Sequence, residues 1–152
     1  QIYDITQGDA VLRGVEAALE YHPMPSLHLR VGGDYTRGQN STTDLPLAFV
    51  APLRLTSGIR FEGQGAGAPH VEVGVEHNTR QTRLDPEDIA PPAYTLTSIG
   101  AGTTLRLGLQ TLRVDLQVRN LFDVSYRAFL SRYKTYADDP GRSVGVRVGV
   151  DF

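Results

Sequence analysis

Apolar and polar residues alternate with a period of two along most of this chain, and no stretch of ten or more residues shows the 3.6 period of a helix. The pattern is cleanest at the C-terminal end, Val144-Gly145-Val146-Arg147-Val148-Gly149-Val150-Asp151-Phe152. Successive side chains of a strand point to opposite faces, so Val144, Val146, Val148, Val150 and Phe152 share one face, and Arg147 and Asp151 the other. Eight such segments are predicted. Val11, Val15, Ala17, Leu19 and Tyr21, with Arg13 among them, oppose Glu16, Glu20 and His22. Leu27, Leu29, Val31 and Tyr35 oppose His28, Arg30 and Asp34. Leu53, Leu55, Ile59 and Phe61 oppose Arg54, Arg60 and Glu62, and Val71, Val73 and Val75 oppose Glu72 and Glu76. Between Tyr94 and Leu107 the phase changes after Leu96 and before Ile99, which predicts a bulge. Leu112, Val114, Leu116 and Val118 oppose Arg113, Asp115, Gln117 and Arg119. Tyr126, Ala128 and Leu130 make a seventh run, and the terminal strand is the eighth.

Breaker-rich segments separate these runs: His22-Pro23-Met24-Pro25, Gly38 to Pro46, Gly63 to Gly67, Asp85 to Pro92, Leu107-Gly108-Leu109 and Ala137 to Gly141. Consecutive strands joined in this way pair antiparallel. A strand of about 9 to 12 residues, tilted by about 40°, spans the roughly 25 Å apolar band of an outer-membrane barrel, whereas globular strands run to about 5 or 6 residues. The reading is all-β, an antiparallel up-and-down transmembrane β-barrel. One face meets lipid and the other, carrying Glu16, Glu20, Arg30, Asp34, Arg54, Arg60, Glu72, Glu76, Arg113, Asp115, Arg119 and Arg147, lines a polar lumen. The competing architecture is a soluble ligand-binding barrel with the aliphatic face as its core. Glycines on the polar face (Gly14, Gly32, Gly58, Gly74, Gly145, Gly149) weaken an ordinary strand and favour a sheet that bends inward.

Composition narrows the picture. The chain has 152 residues and a formal net charge of −2, and it contains no Cys, so disulfides and thiolate metal sites are excluded. A pI near 6.1 provides no basic field for nucleic acid. Mean hydropathy is −0.23, and no apolar run approaches the roughly 18 residues of a membrane helix. A chain opening at Gln1 reads as a mature segment or, preferably, a piece of a longer protein.

Several phrases, in order along almost the whole chain, resemble the C-terminal barrel strands of TonB-dependent outer-membrane receptors. They are Asp9-Ala10-Val11-Leu12-Arg13-Gly14-Val15-Glu16; Leu45-Pro46 with Ala51-Pro52-Leu53-Arg54-Leu55; Pro92-Ala93-Tyr94-Thr95-Leu96; and Val118-Arg119-Asn120-Leu121-Phe122-Asp123 followed by Tyr126. Pro140-Gly141-Arg142 and a terminal Phe152 complete the series. The resemblance implies one segment, residues 1–152, of a barrel of about 22 strands. It further implies a Gram-negative outer-membrane location, contact with lipid and with the rest of the barrel and its plug, and uptake of a metal chelate (siderophore-iron, haem, zinc or cobalamin). TonB would be engaged only through an N-terminal region that this segment lacks. Tyr126 to Lys134 is most similar to the zinc, haem or ferric-chelate subgroup. A small eight-stranded barrel with a scaffold role is the other outcome.

Candidate chemistry is sparse. Glu16, Glu20, His22 and His28 share the polar face of the first hairpin, and carboxylate with imidazole suits zinc or a similar ion. The same residues also fit an ion-pair network with Arg30, Arg54 and Arg60. Arg132, Tyr133, Lys134 and Tyr136 fall in a connection, where cation and ring would meet an anionic chelate. No G-x-S-x-G elbow exists and neither catalysis nor a resident cofactor is expected.

Overall fold

The computed structural model describes residues 8–65, 67–86 and 88–151. Seven strands lie side by side in chain order: β1 (Ala10–Met24), β2 (Leu27–Asn40), β3 (Arg54–Glu62), β4 (His70–Asn78), β5 (Tyr94–Leu107), β6 (Gln110–Arg119) and β7 (Ser143–Asp151). Each neighbouring pair is antiparallel. Period-two alternation without helical amphipathicity leaves the backbone one way to satisfy its N–H and C=O groups, which is to pair with the adjoining segment. Lengths run from 9 residues in β3, β4 and β7 to 15 in β1.

The seventh predicted run is not a strand. Tyr126, Ala128 and Leu130 lie in an irregular connection, residues 120–142. Three alternating apolar positions are too few to hold a register, and the backbone ties to itself instead: Ser131 N donates to Ala128 O and Asp139 N to Tyr126 O, both at 2.9 Å. Nor is there a bulge in β5. Its register runs unbroken from Tyr94↔Asn78 to Gly102↔His70 against β4, and from Ile99↔Val118 to Leu107↔Gln110 against β6. The phase change in the sequence arises because Tyr94 and Leu96 stand on the polar face and Thr95 and Thr97 on the apolar one. The register shift occurs in the first hairpin, between Tyr21 and Met24, so His22 to Met24 belong to β1 rather than to a connection.

Connections alternate in length. Residues 25–26, 63–69 and 108–109 are short and lie at the end of the sheet where β7 finishes; residues 41–53, 79–93 and 120–142 are long and lie at the other. At the two-residue turn 108–109 Gly108 has φ +67° while Leu109 keeps a negative φ, the pattern of a type II′ hairpin, which glycine at the first position permits.

Directly paired residues share a face, and the registers therefore resolve two faces across all seven strands. Val15, Leu19, Val31, Ile59, Val73, Val146 and Val148 fall on one, and they are 41–67% exposed. Among the described residues Phe129 is the one buried hydrophobic residue, so this sheet has no aliphatic core of the kind a soluble barrel needs. The strands β1 and β7 are the two edges of the sheet and it does not close on itself. A closed eight-stranded barrel is thus not what the described residues form. Phe152 lies outside them.

Candidate functional site

On the polar face the charged side chains of neighbouring strands interlock. Arg54 Nε donates to Asp34 Oδ1 at 2.8 Å. Arg60 Nε donates to Glu62 Oε1 at 2.8 Å and its Nη1 to Glu72 Oε2 at 3.3 Å, while Arg30 lies 3.7 Å from the same Glu72 oxygen. Arg113 pairs with Asp151, and Asp115 stands opposite Arg147 in the register and 3.6 Å from His70. Glu16 faces Asp34, Glu76 faces Thr56 and accepts a hydrogen bond from Asn78 Nδ2 at 2.7 Å, and Arg119 Nε donates to Gln117 at 3.2 Å. All twelve residues expected on a polar wall therefore share one face. Arg60, His70, Asp34 and Glu72 are 18–35% exposed, whereas Glu20, Arg30, Arg54, Arg113, Asp115 and Asp151 are 43–59% exposed. The glycines there divide into two kinds. A Cβ on Gly102 would lie 2.3 Å from Asp115 Oδ1 and 2.5 Å from His70 Cε1, whereas Gly145 and Gly149 have nothing within 4 Å. At Gly102 the missing side chain is the space taken by the His70 ring and the Asp115 carboxylate.

The three long connections meet and hold one another. Lys134 Nζ lies 2.5 Å from Asp88 Oδ1, donates to Phe129 O at 3.0 Å, and sits 3.9 Å from the Phe129 ring and 5.4 Å from the Phe49 ring. One ammonium thus joins residues of all three connections. With 6% of its side chain exposed, Lys134 is not the free cation the sequence led us to expect; a flexible stem with three donors is better used in a buried junction. Arg132, Tyr133 and Tyr136 remain exposed, and the two tyrosine rings pack edge to face with centroids 5.7 Å apart. Gln81 Nε2 donates to Val50 O at 2.7 Å, a second tie between connections.

Asn120 governs the exit from β6. Its Nδ2 donates to Val124 O at 2.9 Å and its Oδ1 accepts Val124 N–H at 2.8 Å, with the residue 5% exposed and at φ +49°. Asn tolerates that left-handed backbone better than most residues. Asp123 Oδ1 accepts Arg142 N–H at 2.7 Å, bringing the chain back to start β7, and Tyr126 stacks on Tyr94 at 4.6 Å between centroids. Burial and the nearby Asp139 carboxylate push the Tyr126 phenol up. Hydrogen bonds from Ser125 and Arg127 hold the Asp138 carboxyl below the usual carboxylate range. Between these connections lies an open cavity of about 440 Å³, lined by Ile89, Tyr94, Tyr126, Arg127, Lys134 and Asp138 among others.

At the short-connection end, Glu20, His22 and His28 converge with potential ligand atoms all within 4.8 Å of one another. Glu16, expected with them, does not join. Four residues along an extended strand is about 13 Å, and Glu16 faces Asp34 instead.

Residues 1–121 match the family described as TonB dependent receptor-like, beta-barrel. The chain belongs to the TonB-dependent receptor β-barrel family. That family comprises outer-membrane transporters rather than enzymes. A solved structure, the copper transporter OprC, superposes with a TM-score of 0.82 at 20% identity, over 94% of this chain and 24% of that one. The receptor segment in hand thus spans about a quarter of the length of that structure. A comparison with curated proteins finds no match.

Within this receptor segment, two partners escaped the sequence reading. Asp88 lies in a stretch read only as breakers, and Glu62 is read only as lying on the charged side of its strand, without its relation to His28. Both depend on strand pairing or loop packing between residues distant in sequence. Asn120 did leave a signal, in the Asn-Leu-Phe-Asp phrase that bears the family resemblance.

Proposed function

We propose that this chain is part of the barrel wall of an outer-membrane receptor that imports a metal-bearing substrate by TonB-dependent transport. The substrate class is a siderophore-iron, haem, zinc or cobalamin chelate, with copper added by the similarity to a copper transporter. The observation that carries this reading is the separation of exposed apolar rows from an ion-paired face, maintained in register through seven strands. Lipid stabilises the first, and a hydrated lumen occupied by a plug accommodates the second. In bacterial barrels the short turns are periplasmic and the long loops extracellular, so residues 41–53, 79–93 and 120–142 face outside. Arg132, Tyr133 and Tyr136 then meet an anionic chelate through charge and ring faces. The lipid-facing rows include Val144, Val146, Val148 and Val150.

The test is uptake by cells expressing the full receptor in a host without its own equivalents. Labelled ferric siderophores, haem, zinc, copper and cobalamin are supplied separately, with and without TonB. TonB-dependent accumulation of one class supports the reading. Accumulation of none, or uptake indifferent to TonB, overturns it and leaves the scaffold role.

A further inference from the structure

Glu20, His22 and His28 lie at the turn end of the sheet, apart from the long connections. We propose that these three residues bind one divalent transition-metal ion of the Zn²⁺ and Cu²⁺ class, with Glu62 orienting His28 from behind. This rests on coordination chemistry and stands whether or not the receptor transports a metal.

His22 Nε2 lies 3.1 Å from Glu20 Oε1, and His28 Nδ1 lies 3.8 Å from the same oxygen. The imidazole rings meet edge to face with centroids 4.5 Å apart. Four-coordinate zinc with ligand bonds of about 2.0–2.1 Å sets its ligand atoms roughly 3.4 Å apart. Closure from the observed spacing therefore needs side-chain shifts on the order of 1 Å by that geometry. Glu20 and His22 are half exposed and free to make them, and their exposed side admits water as a fourth ligand.

The second observation is at the far nitrogen of His28. Its Nε2 is buried without a hydrogen-bond partner and stands 3.6 Å from Glu62 Oε2. Glu62 is itself held, its other oxygen accepting from Arg60 Nε at 2.8 Å. Metal-ligating histidines commonly present their remote N–H to a carboxylate, which fixes the tautomer and leaves the near nitrogen basic. Here a proton on Nε2 faces Glu62 and leaves the Nδ1 lone pair toward Glu20. An ion-pair network explains less. Arg30, directly opposite Glu20 in the register, approaches Glu72. Glu20 accompanies two imidazoles instead.

Zn²⁺ titration by calorimetry and Cu²⁺ electron paramagnetic resonance on the purified full receptor in detergent test the site. His22→Asn and Glu20→Gln are expected to weaken binding of one ion by roughly tenfold or more. His77→Asn, at the opposite end where His77 Nδ1 meets Thr95 Oγ1 at 2.8 Å, is expected to leave it unchanged. Stoichiometric Cu²⁺ should show coupling to two imidazole nitrogens. Heat-modifiable gel migration reports folding of each variant. Equal affinity in folded His22→Asn, Glu20→Gln and wild type overturns the proposal. Absence of two-nitrogen coupling in the wild type overturns it whatever the variants do.

Discussion

Placing an arginine at Val146 probes the assignment of the apolar face. Val146 is 67% exposed, pairs with Leu116, and lies one residue from the midpoint of the nine-residue strand β7. With a rise of about 3.4 Å per residue and a tilt of about 40°, β7 covers roughly 23 Å of membrane depth, which puts this side chain within about 3 Å of the midplane. Arginine at that depth costs about 2–4 kcal/mol, or a roughly 30- to 900-fold fall in the folding constant at about 1.36 kcal/mol per decade. The neighbouring Arg147 faces Asp115 on the polar side. Its replacement by valine removes a hydrated charge and is expected to cost about 1 kcal/mol or less. The assay is urea titration of the full receptor in lipid vesicles, reading the heat-modifiable fraction on gels. A Val146→Arg receptor within about 0.5 kcal/mol of wild type, the scatter of an ordinary surface change, would refute the lipid-facing assignment. So would Arg147→Val proving the costlier of the two.

Asn120→Ala removes both hydrogen bonds to Val124 from a buried site, and a loss of about 1–3 kcal/mol is expected in the same titration, with new protease cleavage near residues 121–125. Lys134→Met leaves the Asp88 carboxylate without its ammonium, so the three long connections should open together. Limited proteolysis of intact cells would then cut all three faster, and cleavage confined to residues 120–142 would contradict the junction. Because Ser125 and Arg127 lower the Asp138 pKa, that carboxylate steadies its connection at neutral pH and the contribution disappears as pH falls through the depressed value, below the ordinary aspartate range. Protection of residues 124–139 against hydrogen exchange, taken relative to the intrinsic rate at each pH, should fall in the wild type between about pH 5 and 2. In Asp138→Asn that protection should already be low at pH 5.

Period-two alternation by itself determined the two faces, the antiparallel class and nearly every strand, because the direction of a side chain along a strand is a local property. It also placed all twelve charged residues on one side. Where the alternation was weak it misled: Tyr94 and Leu96 imitated a bulge, and Tyr126, Ala128 and Leu130 imitated a strand. Tyr94 and Tyr126 instead stack on each other, a contact between residues remote in sequence. The tertiary structure likewise decided that His28 meets Glu20 and Glu62 but not Glu16, and that Lys134 is taken up by Asp88 and Phe129. Those partners come from strands and connections whose relative offset depends on cross-strand register and loop packing. Such offsets are fixed by hydrogen bonding between segments, and one segment read alone carries no record of its neighbour's position.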